Sequence, residues 1–514
     1  MATAGDRLTG LDSSFLHLET PSAHMHVAGV MLFDGSPPEH PDLVEAIERR
    51  LHLVPRYRQK LAFVPLGQGR PRWVDDPHLN LDYHVRSTAL PAPGSEDQLK
   101  ALAGRVFSQR LDRDKPLWEL WVVEGLDGGE RFAMLSKTHH ALVDGISGVD
   151  IISVLFDTSP EPSAPPDPGK RWLPRPLPSR SQLLAEALIE RATIPGEVVR
   201  GVRAAFRGPL RIAQGAVNAL AGVGAMAWAG MNPAPPSPYN TGIGPHRRFT
   251  WARVALPDVK AIKDSLGGTV NDVMLAIVAG ALGRDLRRRG VDVRGLELKV
   301  MVPVSVRGDA ARGALGNQVA AMMAPLPVGH DDAVTRFETV STSMRRLKEG
   351  GQAVGAQVLT ELAGFAPPNI MSQASRLMVR QRFFNLVVTN VPGPQFPLYL
   401  MGREMIEAFP MVPLVDGQAL GVAIMSYNGH INFGLVGDYE VMYDLDQLAK
   451  DFRASLLELA DAAGVTLTVP EEGHGRKRAR NGHRPRRAVG TREAIAAAAA
   501  EGEGEGEPAP PIDG

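Results

Sequence analysis

Phe132-Ala133-Met134-Leu135-Ser136-Lys137-Thr138-His139-His140-Ala141-Leu142-Val143-Asp144-Gly145 is the stretch on which the reading of this chain turns. Phe132 to Leu135 is an apolar run of strand type. It follows a second such run, Trp121-Val122-Val123, across the turn Asp127-Gly128-Gly129. A histidine leaving the end of a strand into a turn is held rigidly and can face a cleft. With an ordinary pKa of about 6.5, its neutral ring is a natural base for an alcohol proton, worth roughly 10²–10⁴-fold in rate. Gly145 allows a sharp turn or a close backbone approach.

Other chemistries fit the same residues. His139, His140 and Asp144 could form a two-histidine, one-carboxylate metal set, but adjacent histidines usually point in different directions, and the expectation is no metal. A serine hydrolase would need a Gly-x-Ser-x-Gly elbow, which does not occur. Taken alone, the pair also reads as interior, hydrogen-bonded histidines.

Outward from this stretch, residues 1–158 alternate strands with amphipathic helices. Val27 to Phe33 reads as a strand, and Asp42 to Leu53 as a helix with Leu43, Ile47 and Leu51 on one stripe. Residues 159–246 open on a proline-rich connection, which cannot hold a helix, and continue into a helical stretch. There Arg191, Arg200, Arg203, Arg207 and Arg211 precede an apolar half, Ile212 to Met231, long enough to span a bilayer. Its Ala, Gly, Gln214 and Asn218 favour a buried or interfacial helix instead. Residues 247–468 form a second unit, with a helix at Val270 to Arg289. Its strands are placed at Leu298 to Val304, Phe384 to Thr389, Leu420 to Ser426 and Ile431 to Val436. Residues 469–514, basic and then Glu-Gly-rich, read as a disordered tail. The fold class is α/β (α+β), two-lobed, with a site between the lobes.

Composition narrows the function. The 514 residues carry 56 Lys+Arg against 57 Asp+Glu and no cysteine. The balance gives no global field for nucleic acid, and the missing thiols exclude a cysteine-bound acyl intermediate. Asp6, Arg7 and Asp12 interrupt any apolar leader, so a cytoplasmic location is expected.

The histidine stretch matches the His-His-x-x-x-Asp-Gly signature of CoA-dependent acyltransferases, and the text around it resembles one branch closely. Leu11-Asp12, Glu19-Thr20-Pro21, Met25-His26-Val27 and Pro116-Leu117-Trp118 resemble blocks of the bacterial wax ester synthase/acyl-CoA:diacylglycerol acyltransferase family. So do Gly244-Pro245-His246-Arg247-Arg248, Thr269-Val270-Asn271-Asp272-Val273, Pro303-Val304-Ser305-Val306-Arg307 and Thr389-Asn390-Val391-Pro392-Gly393-Pro394, in the family's order.

The resemblance implies two chloramphenicol-acetyltransferase-like lobes with mixed sheets and a tunnel between them. It implies acyl transfer from acyl-CoA, as substrate rather than cofactor, to diacylglycerol or a long-chain alcohol. His140, four residues before Asp144, would be the general base, His139 its support, and Asp144 with Gly145 the shape of the loop. Arg58 is the candidate ion-pair partner of Asp144; read alone it is a solvated cation at a helix end.

Asn271 is the candidate oxyanion donor, or else the cap of a helix starting at Asp272. Pro116 and Trp118 would pack beneath the loop or line an acyl pocket. Asn390, Pro392 and Gly393 would bring a turn to the substrate channel, or form a rigid loop between strands. The expected partners include a lipid-droplet or inner membrane surface, contacted peripherally, and no nucleic acid. Two further readings stay open: a lipid-binding protein with little activity, and a condensation-domain-like, amide-forming enzyme.

Overall fold

A computed structural model of the chain describes residues 7–67, 69–142, 151–162, 172–189, 233–305, 319–349 and 383–468. Two six-stranded sheets dominate it. The first runs β11 (Tyr399–Leu400), β12 (Arg403–Met411), β1 (His26–Asp34), β6 (Arg131–His139), β5 (Trp118–Leu126), β4 (Val85–Ala89). The second runs β7 (Arg247–Ala255), β14 (His430–Asp438), β13 (Leu420–Tyr427), β10 (Leu386–Pro392), β8 (Leu298–Ser305), β9 (Val319–Leu326). A hairpin of β2 (Gln59–Ala62) and β3 (Arg72–Asp75) stands apart. Both large sheets are mixed: β4 is parallel to β5, and β10 is parallel to both β13 and β8.

The central strands of the first sheet are buried on both faces, which is why they read as continuous apolar runs rather than alternating ones. Phe132 and Met134 of β6 enter one core with Met31, Phe33, Leu120 and Val122. Ala133 and Leu135 enter another with Val30 and Leu32. This second core lies between the sheets, because it also takes in Phe249, Trp251 and Val436 of the second sheet. The Trp251 and Phe409 rings stack there at 4.6 Å. The far side of the second sheet is covered by the helices Val270–Arg288, Ala333–Glu349 and Leu445–Ala462 around a third core.

One feature departs from the boundaries expected along the chain. β11 and β12 belong by sequence to residues 247–468, yet β12 pairs antiparallel with β1, Ala28 opposite Met411. They thus complete the first sheet. On the way back the chain passes close to the second sheet, where Gly434 of β14 abuts the backbone of Pro410.

The proline-rich connection carries no helix or strand over residues 158–162 and 172–179. Arg175 bonds Asp75 of β3 through its backbone N–H (2.9 Å) and its guanidinium (3.2 Å). The helical stretch expected beyond it begins as a helix over residues 180–189; its remainder, including 212–231, and the tail from 469 lie outside the described residues. Among those described, no single helix is long and apolar enough to cross a membrane.

Candidate active site

β6 ends on His139 with His140 directly after it, and the backbone of the pair is fixed by residues just ahead of the neighbouring strands β1 and β5. His26 of β1 lies opposite His139 in the register. The N–H of His139 donates to the Leu117 carbonyl (2.9 Å), and that of His140 to the Met25 carbonyl (2.8 Å). The chain then turns: Leu142 N–H returns to the His139 carbonyl (2.8 Å), and Ala141 N–H donates to His139 Nδ1 (3.0 Å).

The Pro116-Leu117-Trp118 block is therefore the ledge from which the histidines hang. Trp118 is buried, donates its indole N–H to the Tyr57 carbonyl (2.9 Å) and stacks on His84 at 4.5 Å. It is placed in the support under the histidines, and Pro116 is buried with it.

His140 is half-buried, its ring stacked on Phe15 with centroids 3.9 Å apart and planes 23° from parallel. Burial lowers its pKa to about 4, so the imidazole is neutral at pH 7, the state a general base requires. Such a group has a stability cost in acid. The unfolded chain binds a proton as pH falls below about 6.5 and the folded one does not, so stability drops through that window.

His139 is fully buried. Because its Nδ1 accepts from Ala141, its ring proton sits on Nε2, which faces Glu19 Oε2 at 3.8 Å, an electrostatic contact longer than a hydrogen bond. Glu19 is the C-cap of the helix Gly10–Leu18, and Arg113 holds its carboxylate (Nε to Oε2, 2.7 Å). Burial pushes the Glu19 carboxyl up, but His139 and Arg113 outweigh it and hold the pKa at about 2.

With the folded pKa below the ordinary 4.5, Glu19 stabilises the fold above about pH 4.5, and this is lost as pH falls toward 2. The full contribution is about 3 kcal/mol. Denaturant unfolding of wild type and Glu19→Gln at pH 6 and pH 3 measures it: the gap between the two proteins is expected to narrow in acid.

On the second sheet, Thr269 caps the helix Val270–Arg288 and forms a capping box with Asp272. Asn271 is thus not the cap, because Thr269 already accepts from the Asp272 N–H. Its side chain instead accepts from Asn390 Nδ2 (3.3 Å), joining two candidate site residues that are 119 positions apart.

Asn390 lies near the end of β10 beside Ile424, and the strand runs on to Pro392 opposite Ser426 before the chain turns. Gly393 donates to Ser426 Oγ (3.2 Å), and a Cβ at Gly393 would lie 2.3 Å from the Ser426 carbonyl, so only glycine fits. Met425, next in that strand, packs on the core that contains Ala141 and Leu142, so the turn and the histidine loop share their packing.

Arg58 lies 5.0 Å over the Trp172 ring. Its proposed partner Asp144, together with Gly145, falls outside the described residues. Among the described residues no three His, Asp or Glu side chains gather as a metal would need. Sequence reading gave no role to Phe15, Glu19 or Arg113, although Glu19 stands in the quoted Glu19-Thr20-Pro21 block.

Comparison with known proteins places this geometry. Residues 8–274 match the model of the wax ester synthase/diacylglycerol acyltransferase catalytic domain, and residues 315–460 that of the WS/DGAT C-terminal domain. A Mycobacterium tuberculosis protein described as a probable diacylglycerol O-acyltransferase is 34% identical over 461 residues, 88% of this chain and 96% of that one. The solved wax ester synthase/diacylglycerol acyltransferase of Marinobacter aquaeolei VT8 is 26% identical with a TM-score of 0.62, covering 89% of this chain and 100% of that one.

The starter condensation domain of rhizomide synthetase shares the fold at 13% identity, with a TM-score of 0.53 over 89% of this chain and 95% of that one. The two-lobed architecture expected from the sequence is the one these structures have. By the family models and the curated relative, this chain belongs to the wax ester synthase/diacylglycerol acyltransferase family.

Proposed function

We propose that the chain is an acyl-CoA-dependent O-acyltransferase that moves a long-chain acyl group to diacylglycerol or a long-chain alcohol, with His140 as general base. The observation that carries the role of His140 is its placement: a neutral imidazole at a strand end, backbone-anchored to Met25 and half-buried.

The acceptor hydroxyl gives its proton to the His140 ring as its oxygen attacks the thioester carbonyl. The carbon–sulfur bond then breaks, and the departing CoA thiolate takes the proton back. A base with so low a pKa is weak in the resting enzyme, so proton transfer accompanies attack rather than preceding it, and return of the proton to the thiolate is strongly downhill. No metal and no covalent enzyme intermediate enter the sequence.

Asn271 has its Oδ1 engaged by Asn390, which leaves its amide protons as donors for the tetrahedral oxyanion. Asn271→Ala is expected to lower kcat by about 10²-fold with little change in KM, as for loss of an oxyanion donor. Steady-state CoA release measures both.

The acceptors are membrane-soluble, so the enzyme is proposed to work in the cytoplasm at the surface of a membrane or lipid droplet; co-sedimentation with vesicles tests this. The deciding assay is CoA release from palmitoyl-CoA with dioleoylglycerol or hexadecanol. Acceptor-dependent release identifies the enzyme and its preferred ester. None from folded, vesicle-bound protein favours a lipid-binding role. The amide-forming reading is less supported, since the condensation-domain likeness extends to the fold alone.

A further inference from the structure

We propose that the helix Gly10–Leu18 and its cap are a clamp for the catalytic pair, with Phe15 and Glu19 as positioning residues: Phe15 fixes the ring of His140, and Glu19, anchored by Arg113, fixes the ring of His139. The proposal rests on His140 being the general base.

The geometry runs in sequence. Arg113 binds Glu19 and also donates to the Leu16 carbonyl (3.0 Å), tying the carboxylate to the helix that bears it. Glu19 faces the Nε2–H of His139, which leaves Nδ1 free to accept from Ala141. The His139 carbonyl accepts from Leu142. His139 therefore holds the two residues after His140, while Met25 holds His140 itself. The remaining freedom of His140 is rotation of its side chain, and the Phe15 ring lies flat against it. Phe15 and Glu19 are one helical turn apart, linked by the Glu19 N–H to Phe15 carbonyl bond (3.2 Å).

A neutral, flat-stacked imidazole is also a desolvated one. Among the described residues, the titratable side chain acting on the His140 ring is His139. Glu19, Arg113 and Arg110 face His139 or one another, and His24, His26 and Lys137 lie on the β1 and β6 side. Removing the Phe15 ring admits water to His140 without removing a charge, so the protonation midpoint of His140 rises from about 4 toward 6.5.

The test is CoA release with palmitoyl-CoA and the preferred acceptor from pH 4.5 to 8. Wild type, Phe15→Ala, Phe15→Leu, Glu19→Gln and His140→Ala are compared, each verified folded by circular dichroism. Phe15→Ala is expected to move the acid limb of kcat/KM upward by at least one pH unit, and Phe15→Leu, which keeps apolar volume, by less. If Phe15→Ala does not fold, the limb of Phe15→Leu decides. Glu19→Gln is expected to lose roughly 10-fold or more in kcat with KM held.

Unmoved acid limbs with an unchanged kcat, in a protein that His140→Ala silences, would overturn the clamp and leave the base in place. Activity surviving His140→Ala would instead remove the base on which the clamp depends.

Discussion

Replacement of His140 by alanine is expected to lower kcat by about 10³-fold, within the range for losing a general base, with KM for acyl-CoA nearly unchanged. The fold should survive. His140 is half-buried, its backbone N–H to Met25 remains in the variant, and a group that resists protonation in the folded state contributes nothing to stability in acid. The variant should therefore unfold no earlier than wild type at pH 5, apart from the lost contact with Phe15. Thermal denaturation beside the CoA-release assay separates the two effects. A kcat within a few-fold of wild type would mean that another group takes the proton.

The second large effect is structural. Gly434→Ala would place a Cβ 1.7 Å from the Pro410 carbonyl oxygen and 2.9 Å from its carbon. Both partners are strand backbone, β14 against β12, so no side chain can rotate away. Relief requires separating the two sheets along the core that holds Trp251 and Phe409. A loss of about 4 kcal/mol or more is expected, a large share of the stability of an ordinary domain. Urea unfolding of Gly434→Ala, or its failure to accumulate as soluble protein, measures it; a midpoint within about 1 kcal/mol of wild type would show that the sheets can slide apart cheaply.

How far the sequence spoke depended on the range of the interaction. The runs at Val27–Phe33, Phe132–Leu135 and Leu420–Ser426 were legible because their strands are buried on both faces, leaving unbroken apolar text. β12 was not legible as a strand. Its text, Arg-Glu-Met-Ile-Glu-Ala-Phe-Pro-Met, carries charges and a proline, and Glu407 is spent on an ion pair with Arg253 across the sheets. Its partner β1 lies some 380 residues earlier, which no periodicity can report.

The site divides the same way. His139 and His140 were found because their chemistry is local, the end of a strand. Asn271 and Asn390 were each singled out, but their bond to one another is visible only in space. Glu19 went without a role because a carboxylate after a helix reads as a solvated cap until Arg113 and His139 are seen to surround it.

The late arrival of β12 bears on how the molecule is made. A ribosome that has released the chain through His139 has produced β1, β4, β5 and β6, and these can pair. The other side of β1 must wait until Arg403–Met411 leaves the exit tunnel. Through the synthesis of more than half the protein, β1 offers an unpaired row of amides beside apolar side chains, the arrangement that recruits neighbouring nascent chains. Completion of the first sheet is thus deferred to the last part of synthesis, after Met411 has emerged. A gene divided in the proline-rich connection would yield an amino-terminal fragment with a permanently open sheet, and its carboxy-terminal partner would carry β11 and β12 without the β1 edge they complete.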